Sequence, residues 1–171
     1  MKKRILKDAL LGATIVLLSA CNGGKEQPAT GTGPADKAQV SAVDQEKIKE
    51  EIQAKEDEFA EVYNSGELKS IGYYADDAVS FYQNRAPLTG KEAIITFLRA
   101  DQLNNSNKIM FKTNEVFPSA DGNQVVELGN FKVIDATNTV INTGNYMSLF
   151  EKRNGKYVCL RDMSASVMSI Q

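Results

Sequence analysis

The chain has 171 residues, with 20 basic and 22 acidic side chains, a net charge of −2 and no histidine. Without histidine there is no Ser-His or Cys-His nucleophile pair, no usual zinc ligand and no imidazole base. The acidic balance excludes nucleic acid as a partner, because that partner needs a basic footprint.

The elements are taken in chain order. Lys2, Lys3, Arg4 and Lys7 precede a nearly unbroken apolar run from Ala9 to Leu18. That is the layout of a secretory signal, and the run is half of the roughly 20 residues a spanning helix needs. Leu18-Ser19-Ala20-Cys21 resembles the lipobox of bacterial lipoproteins. The resemblance implies removal of residues 1–20 and a lipid on Cys21, with the mature chain anchored to a membrane of the cell envelope. Asn22, where an Asp would retain such a protein in the inner membrane, leans toward the outer one. Loss of residues 1–20 takes the net charge to −5, since they carry four basic groups and one acidic. Residues 21–43 are small, polar and rich in Gly and Pro, the composition of a flexible linker. With Cys21 acylated, Cys159 has no cysteine to pair with.

Residues 44–171 are expected to form one domain. Ile48, Ile52, Phe59, Val62 and Tyr63 recur at helical spacing, predicting a long helix over 44–65. Glu50, Glu51, Glu56, Asp57, Glu58 and Glu61 are assigned to its solvated faces, and Gly66 to its C-terminal stop. A short helix over 67–74 and a strand over 78–83 follow. Thr89 and Glu92 have capping-box spacing ahead of a third helix, buried through Ile94, Phe97 and Leu98 and fading near Asn104. Four β-rich runs then cover 109–117, 124–134, 140–152 and 156–167, separated by Asp121-Gly122-Asn123, Thr137-Asn138 and Asn154-Gly155. Helices first and an antiparallel meander last make an α+β fold.

Within this order stand Tyr63-Asn64-Ser65-Gly66-Glu67-Leu68, Tyr74-Ala75-Asp76-Asp77-Ala78-Val79, Leu88-Thr89-Gly90-Lys91-Glu92-Ala93-Ile94, Gly144-Asn145-Tyr146 and Phe150-Glu151-Lys152-Arg153-Asn154-Gly155-Lys156-Tyr157. Arg161-Asp162 closes the series. Together they resemble the nuclear transport factor 2-like (NTF2-like) superfamily, and within it the SnoaL-like and DUF4440 domains. The resemblance implies a cone: a strongly curved antiparallel sheet wrapped around the long N-terminal helix, with two shorter helices and an apolar mouth. That fold hosts enzymes and non-catalytic modules alike.

The ketosteroid isomerase branch needs a carboxylate base, a tyrosine donor and a protonated aspartic acid, roles the handling of acidity in that enzyme illustrates well. Aligned here, the tyrosine donor falls at Phe59, the base at Tyr82 and the acid near Ser148, so none of the three roles is filled. Asp76-Asp77 reads as a structural cap and turn. Asp162 faces either the mouth or a surface salt bridge. Glu115 and Glu127, on neighbouring strands, either pair as acid and base or face solvent. Phe59, Tyr63, Tyr82, Glu115, Glu127 and Asp162 are the candidate ligand contacts, and a phenol-lined cone suits an aromatic or steroid-like ligand. No phosphate loop or metal cluster is legible, and no cofactor is implied. The leading expectation is a non-catalytic anchored domain that binds a small apolar ligand or a protein partner. A hydratase or isomerase using carboxylates and tyrosines is the alternative, and a module forming homodimers through the outer sheet face is the third.

Overall fold

A computed structural model describes residues 42–168. The expected signal peptide, the expected lipid site Cys21 and the expected linker as far as residue 41 lie outside them. Helix α1 runs Ala42–Ser65 and buries Ile48, Ile52, Phe59 and Tyr63 on one face. It stops at Gly66, whose φ of +86° suits glycine and whose N–H donates to the Tyr63 carbonyl at 3.2 Å. One assignment on this helix is wrong. Glu56 is not on a solvated face but 1% exposed in the core.

The expected helix over 67–74 is a single 3-10 turn, Leu68–Ser70. Tyr74 is drawn into strand β1, Tyr74–Phe81, because the edge of a sheet lies beside it; the Cys159 N–H donates to the Tyr73 carbonyl at 2.8 Å. Tyr82 therefore lies just beyond the strand, not within it. Asp76 and Asp77 sit inside β1, where a break in register between Tyr74 and Val79 leaves both exposed. An irregularity of this kind frees a strand from strict alternation. Asp77 pairs with Arg153 through two contacts of 2.6 and 3.2 Å, tying β1 to a distant strand.

Strand β2, Leu88–Thr89, returns antiparallel to β1. Thr89 is held in that pairing, so no capping box forms. Gly90 is the N-cap of α2, Lys91–Asn104, with φ +89° and its N–H on the Ala78 carbonyl at 2.7 Å. Strands β3 (Lys108–Pro118), β4 (Gln124–Ile134), β5 (Val140–Arg153) and β6 (Lys156–Ser166) form the antiparallel meander. Its turns use positive φ at Gly122, Asn138, Asn154 and Gly155. The sheet order is β2-β1-β6-β5-β4-β3, and β1 runs parallel to β6. The curved sheet is therefore mixed, not purely antiparallel. Helix α1 packs on β3 and α2 beside β1, closing a core around Ile52, Ile94, Val125, Phe150 and Cys159.

Candidate functional site

A cavity of about 280 Å³ opens on the inner face of the sheet, walled by both helices. This is at the small end of the roughly 300–1,000 Å³ usual for ligand sites. Most of its wall is aromatic. Phe59 and Tyr63 come from α1, Tyr74 from β1, Phe97 from α2 and Tyr146 from β5, with Tyr82 at the exit of β1. Most of the rings meet edge to face or tilted, Phe59 against Tyr73 at 4.9 Å and Tyr82 against Phe97 at 4.7 Å between centroids, while Phe59 and Tyr63 stack.

The floor is polar, and register builds it. Glu127 on β4 stands opposite Ser148 on β5, Ser148 opposite Asp162 on β6, and Asp162 beside Ser80 on β1. Residues directly opposite share a face of the sheet, so four strands contribute one inward row. Ser148 and Asp162 line the cavity, while Glu127 lies fully buried behind them. Three buried side-chain atoms lack a hydrogen-bond partner within the protein among the described residues: Glu127 Oε2, Ser148 Oγ and Asp162 Oδ1. All three belong to this row. Unpartnered buried polar atoms are few in native folds, and a cluster of them calls for a cause.

Glu56 reaches the row from α1. Its Oε1 accepts a 2.5 Å bond from the Tyr73 hydroxyl, and its carboxyl lies within hydrogen-bonding reach of Glu127. Burial, then the neighbouring Glu127 charge, pushes the Glu56 acidity far above the carboxylate range. Burial raises Glu127 too, but donors oppose it: Thr113 at 2.6 Å and Tyr146 at 2.7 Å, both on Oε1, with Glu56 besides. Both carboxyls are thus held above their ordinary range, and they titrate as a pair. Asp162 is raised by burial and lowered by hydrogen bonds from Ser80 and Tyr74, the latter 3.0 Å from Oδ2. Burial and the nearby carboxylates hold the Tyr63, Tyr73, Tyr74, Tyr82 and Tyr146 phenols neutral.

The candidates named from the sequence divide accordingly. Phe59, Tyr63, Tyr82 and Asp162 are brought to the cavity wall, and Glu127 to the layer beneath. Glu115 is not among them. It is exposed, because a register shift between Thr113 and Glu115 places it opposite Leu128 on the outer face, so it forms no pair with Glu127. Tyr157 is also elsewhere, its hydroxyl donating to the Gly122 carbonyl at 2.6 Å. Glu56 was missed although its signal was present: 52, 56, 59 and 63 are spaced at helical intervals, which sets Glu56 within the apolar stripe. Asp101, accepting the Tyr63 hydroxyl at 2.6 Å, was missed for want of any local pattern. The three positions aligned with isomerase groups, Phe59, Tyr82 and Ser148, all line this cavity.

Residues 57–160 match the SnoaL-like domain family. No curated protein matches the chain in sequence. Among solved structures, the chain is similar to an NTF2-like protein with a cystatin-like fold from Novosphingobium aromaticivorans (13% identity, TM-score 0.62, covering 72% of this chain and 84% of that one). It is also similar to a ketosteroid isomerase-like protein from Erwinia carotovora atroseptica (14%, 0.58, covering 72% and 98%). A domain from Thiobacillus denitrificans assigned to the calcium/calmodulin-dependent protein kinase type II association class is a third (13%, 0.59, covering 67% and 94%). At these identities the likeness concerns the fold alone.

Proposed function

The chain belongs to the SnoaL-like domain family of the NTF2-like superfamily, and on that premise we propose a non-catalytic binding module that takes a small, largely apolar ligand into its aromatic cavity. The observation that carries this reading is the row of unpartnered polar atoms beneath the aromatic walls. Burying such atoms without a partner costs about 1–3 kcal/mol each, and a ligand with one polar group would supply what they lack. None of Phe59, Tyr82 and Ser148 can act as a base at neutral pH, which supports a binding role over isomerisation. One observation favours the enzyme reading, the pair of buried carboxyls Glu56 and Glu127, both raised by burial, beside the cavity.

A thermal-shift screen of apolar metabolites, followed by deuterium exchange on each hit, separates the two readings. Binding without exchange is expected, with Tyr82→Phe weakening ligands that contact its hydroxyl by about 1 kcal/mol. Exchange at a carbon next to a carbonyl that disappears in Asp162→Asn or Glu127→Gln would establish the enzyme instead.

The reading extends to place and assembly. The mature chain is held in the bacterial cell envelope by a lipid on Cys21, with Asn22 favouring the outer membrane, and the linker gives the domain a reach of tens of ångströms. Cys21→Ser is expected to leave an uncleaved precursor that stays in the aqueous phase of a detergent separation; normal maturation and partitioning would refute the anchor. Two copies pair through the outer sheet face, where Phe81, Met163, Met147 and Leu128 stand side by side across four strands.

A further inference from the structure

The hydrogen-bond polarity of the cavity narrows the ligand's chemistry, and this step rests on the binding reading above. Four phenols at or next to its wall donate their protons to carboxylates: Tyr63 to Asp101, Tyr73 to Glu56, Tyr74 to Asp162 and Tyr146 to Glu127. A phenol has a single proton to give, so these rings can offer a ligand only lone pairs and π-faces. Asp162 Oδ1 is an unpartnered acceptor in the same wall. Among the described residues no lysine or arginine lines the cavity, and the chain has no histidine. Arg85 stacks over the Phe97 ring at 4.1 Å, so one aromatic of this wall already holds a cation against its face. An enclosure of acceptors and aromatic faces has the potential that attracts an organic cation.

We propose that the ligand is a primary or secondary organic ammonium with an aromatic or alkyl body, whose N–H donates to Asp162 Oδ1 while the rings of Phe59, Tyr74 and Tyr82 enclose the rest. Ser148 Oγ, the next member of the row, accepts a second N–H. A carbonyl ligand fits less well, because it could take a proton from the Ser148 or Tyr82 hydroxyl but would leave Asp162 Oδ1 without a donor. A carboxylate ligand is excluded by the acidic floor, where like charges repel.

The experiment is isothermal calorimetry on the purified full chain with three probes of one shape: phenethylammonium, 2-phenylethanol and 3-phenylpropionate. The ammonium is expected to bind most tightly and the carboxylate not at all. Asp162→Asn should weaken the ammonium by about tenfold to a hundredfold, the loss of a charge-assisted bond, and leave the alcohol nearly unchanged. Asp76→Asn, exposed on β1, serves as the control and should change neither. Equal binding of alcohol and ammonium would overturn the ammonium assignment while leaving the cavity reading intact. Unchanged ammonium affinity in a folded Asp162→Asn would overturn it as well. Binding of none of the probes would overturn the assignment, and a blank metabolite screen alongside would remove the cavity reading too. If Asp162→Asn does not fold, the order of the three probes on the wild-type chain decides.

Discussion

Glu56 and Glu127 are two buried carboxyls within reach of one another, and their surroundings make them unequal. Glu127 takes two donors, Thr113 and Tyr146, on one oxygen, whereas Glu56 accepts from Tyr73. Glu56→Gln keeps that pattern, since an amide can donate to Glu127 and accept from Tyr73. Glu127→Gln keeps an oxygen for Thr113 and Tyr146 but puts a buried NH2 group at the Oε2 position, which has no partner in the protein. The first substitution is therefore expected to be mild, and the second to cost about 1–3 kcal/mol. Acidity supplies an independent check. Folding raises Glu56 above its ordinary value of 4.5, so above that pH the folded state holds a proton the unfolded state has lost. Stability then falls as pH climbs from 4.5 toward the raised value, and is regained below it. Glu127, raised in the same direction, adds a smaller slope of the same sign. Denaturant melts from about pH 5 to 8 should show a shallower decline in Glu56→Gln than in the wild type. An unchanged slope would mean that Glu56 is ionised in the folded chain.

Strand β4 holds its part of the site through an absent side chain. Gly129 stands opposite Tyr146, and a methyl group at 129 would overlap the Tyr146 ring. The ring lies across the bare backbone, an arrangement known to support glycine in sheets. Its hydroxyl thereby reaches Glu127, two residues along. Gly129→Ala is expected to destabilise by about 1–3 kcal/mol through overpacking. In a Tyr146→Ala background the same change should cost almost nothing, since the obstructing ring is gone. Additive losses in that double-mutant cycle would show that the two residues do not interact. Elements with a strong local pattern, such as α2 and the meander turns with their positive φ, were readable in the sequence because neighbours in the chain determine them. The start of β1 was not, since a partner about eighty residues away draws Tyr74 into the sheet. Nor was the polar row, whose members are innocuous one by one and meet only through the register of four strands. Glu56 is the instructive case: the helical period placed it inward, and its charge argued it outward.

At the scale of the whole molecule, the outer sheet face is the feature that calls for a partner. Met163, Met147, Phe117 and Phe81 are each 40% exposed or more on it. Sedimentation is expected to give a dimer for the wild type and a monomer for Met147→Lys with Phe81→Lys, neither of which lines the cavity, with its ligand affinity retained. A wild-type monomer at high concentration would leave that face without the role proposed for it. The family, the α+β class and the meander were visible from scattered words along the chain, because turns and strand edges leave local traces. The parallel β1–β6 pairing left none. The alternation of strands has one more consequence. Through the middle of the sheet, Glu127, Ser148, Asp162 and Ser80 face the core, while their neighbours Leu128, Met147, Met163 and Phe81 face away. Judged by hydrophobicity alone, this band is inside out, and a one-residue slip would satisfy it better. The native register must be enforced from beyond the band, by Val125, Phe150 and Tyr157 at one end and by the hairpin turns. The fold is locally frustrated there, and natural sequences are elsewhere consistent across levels. Apolar replacements along the row would relieve that frustration and give a sturdier sheet with nothing left to hold a ligand.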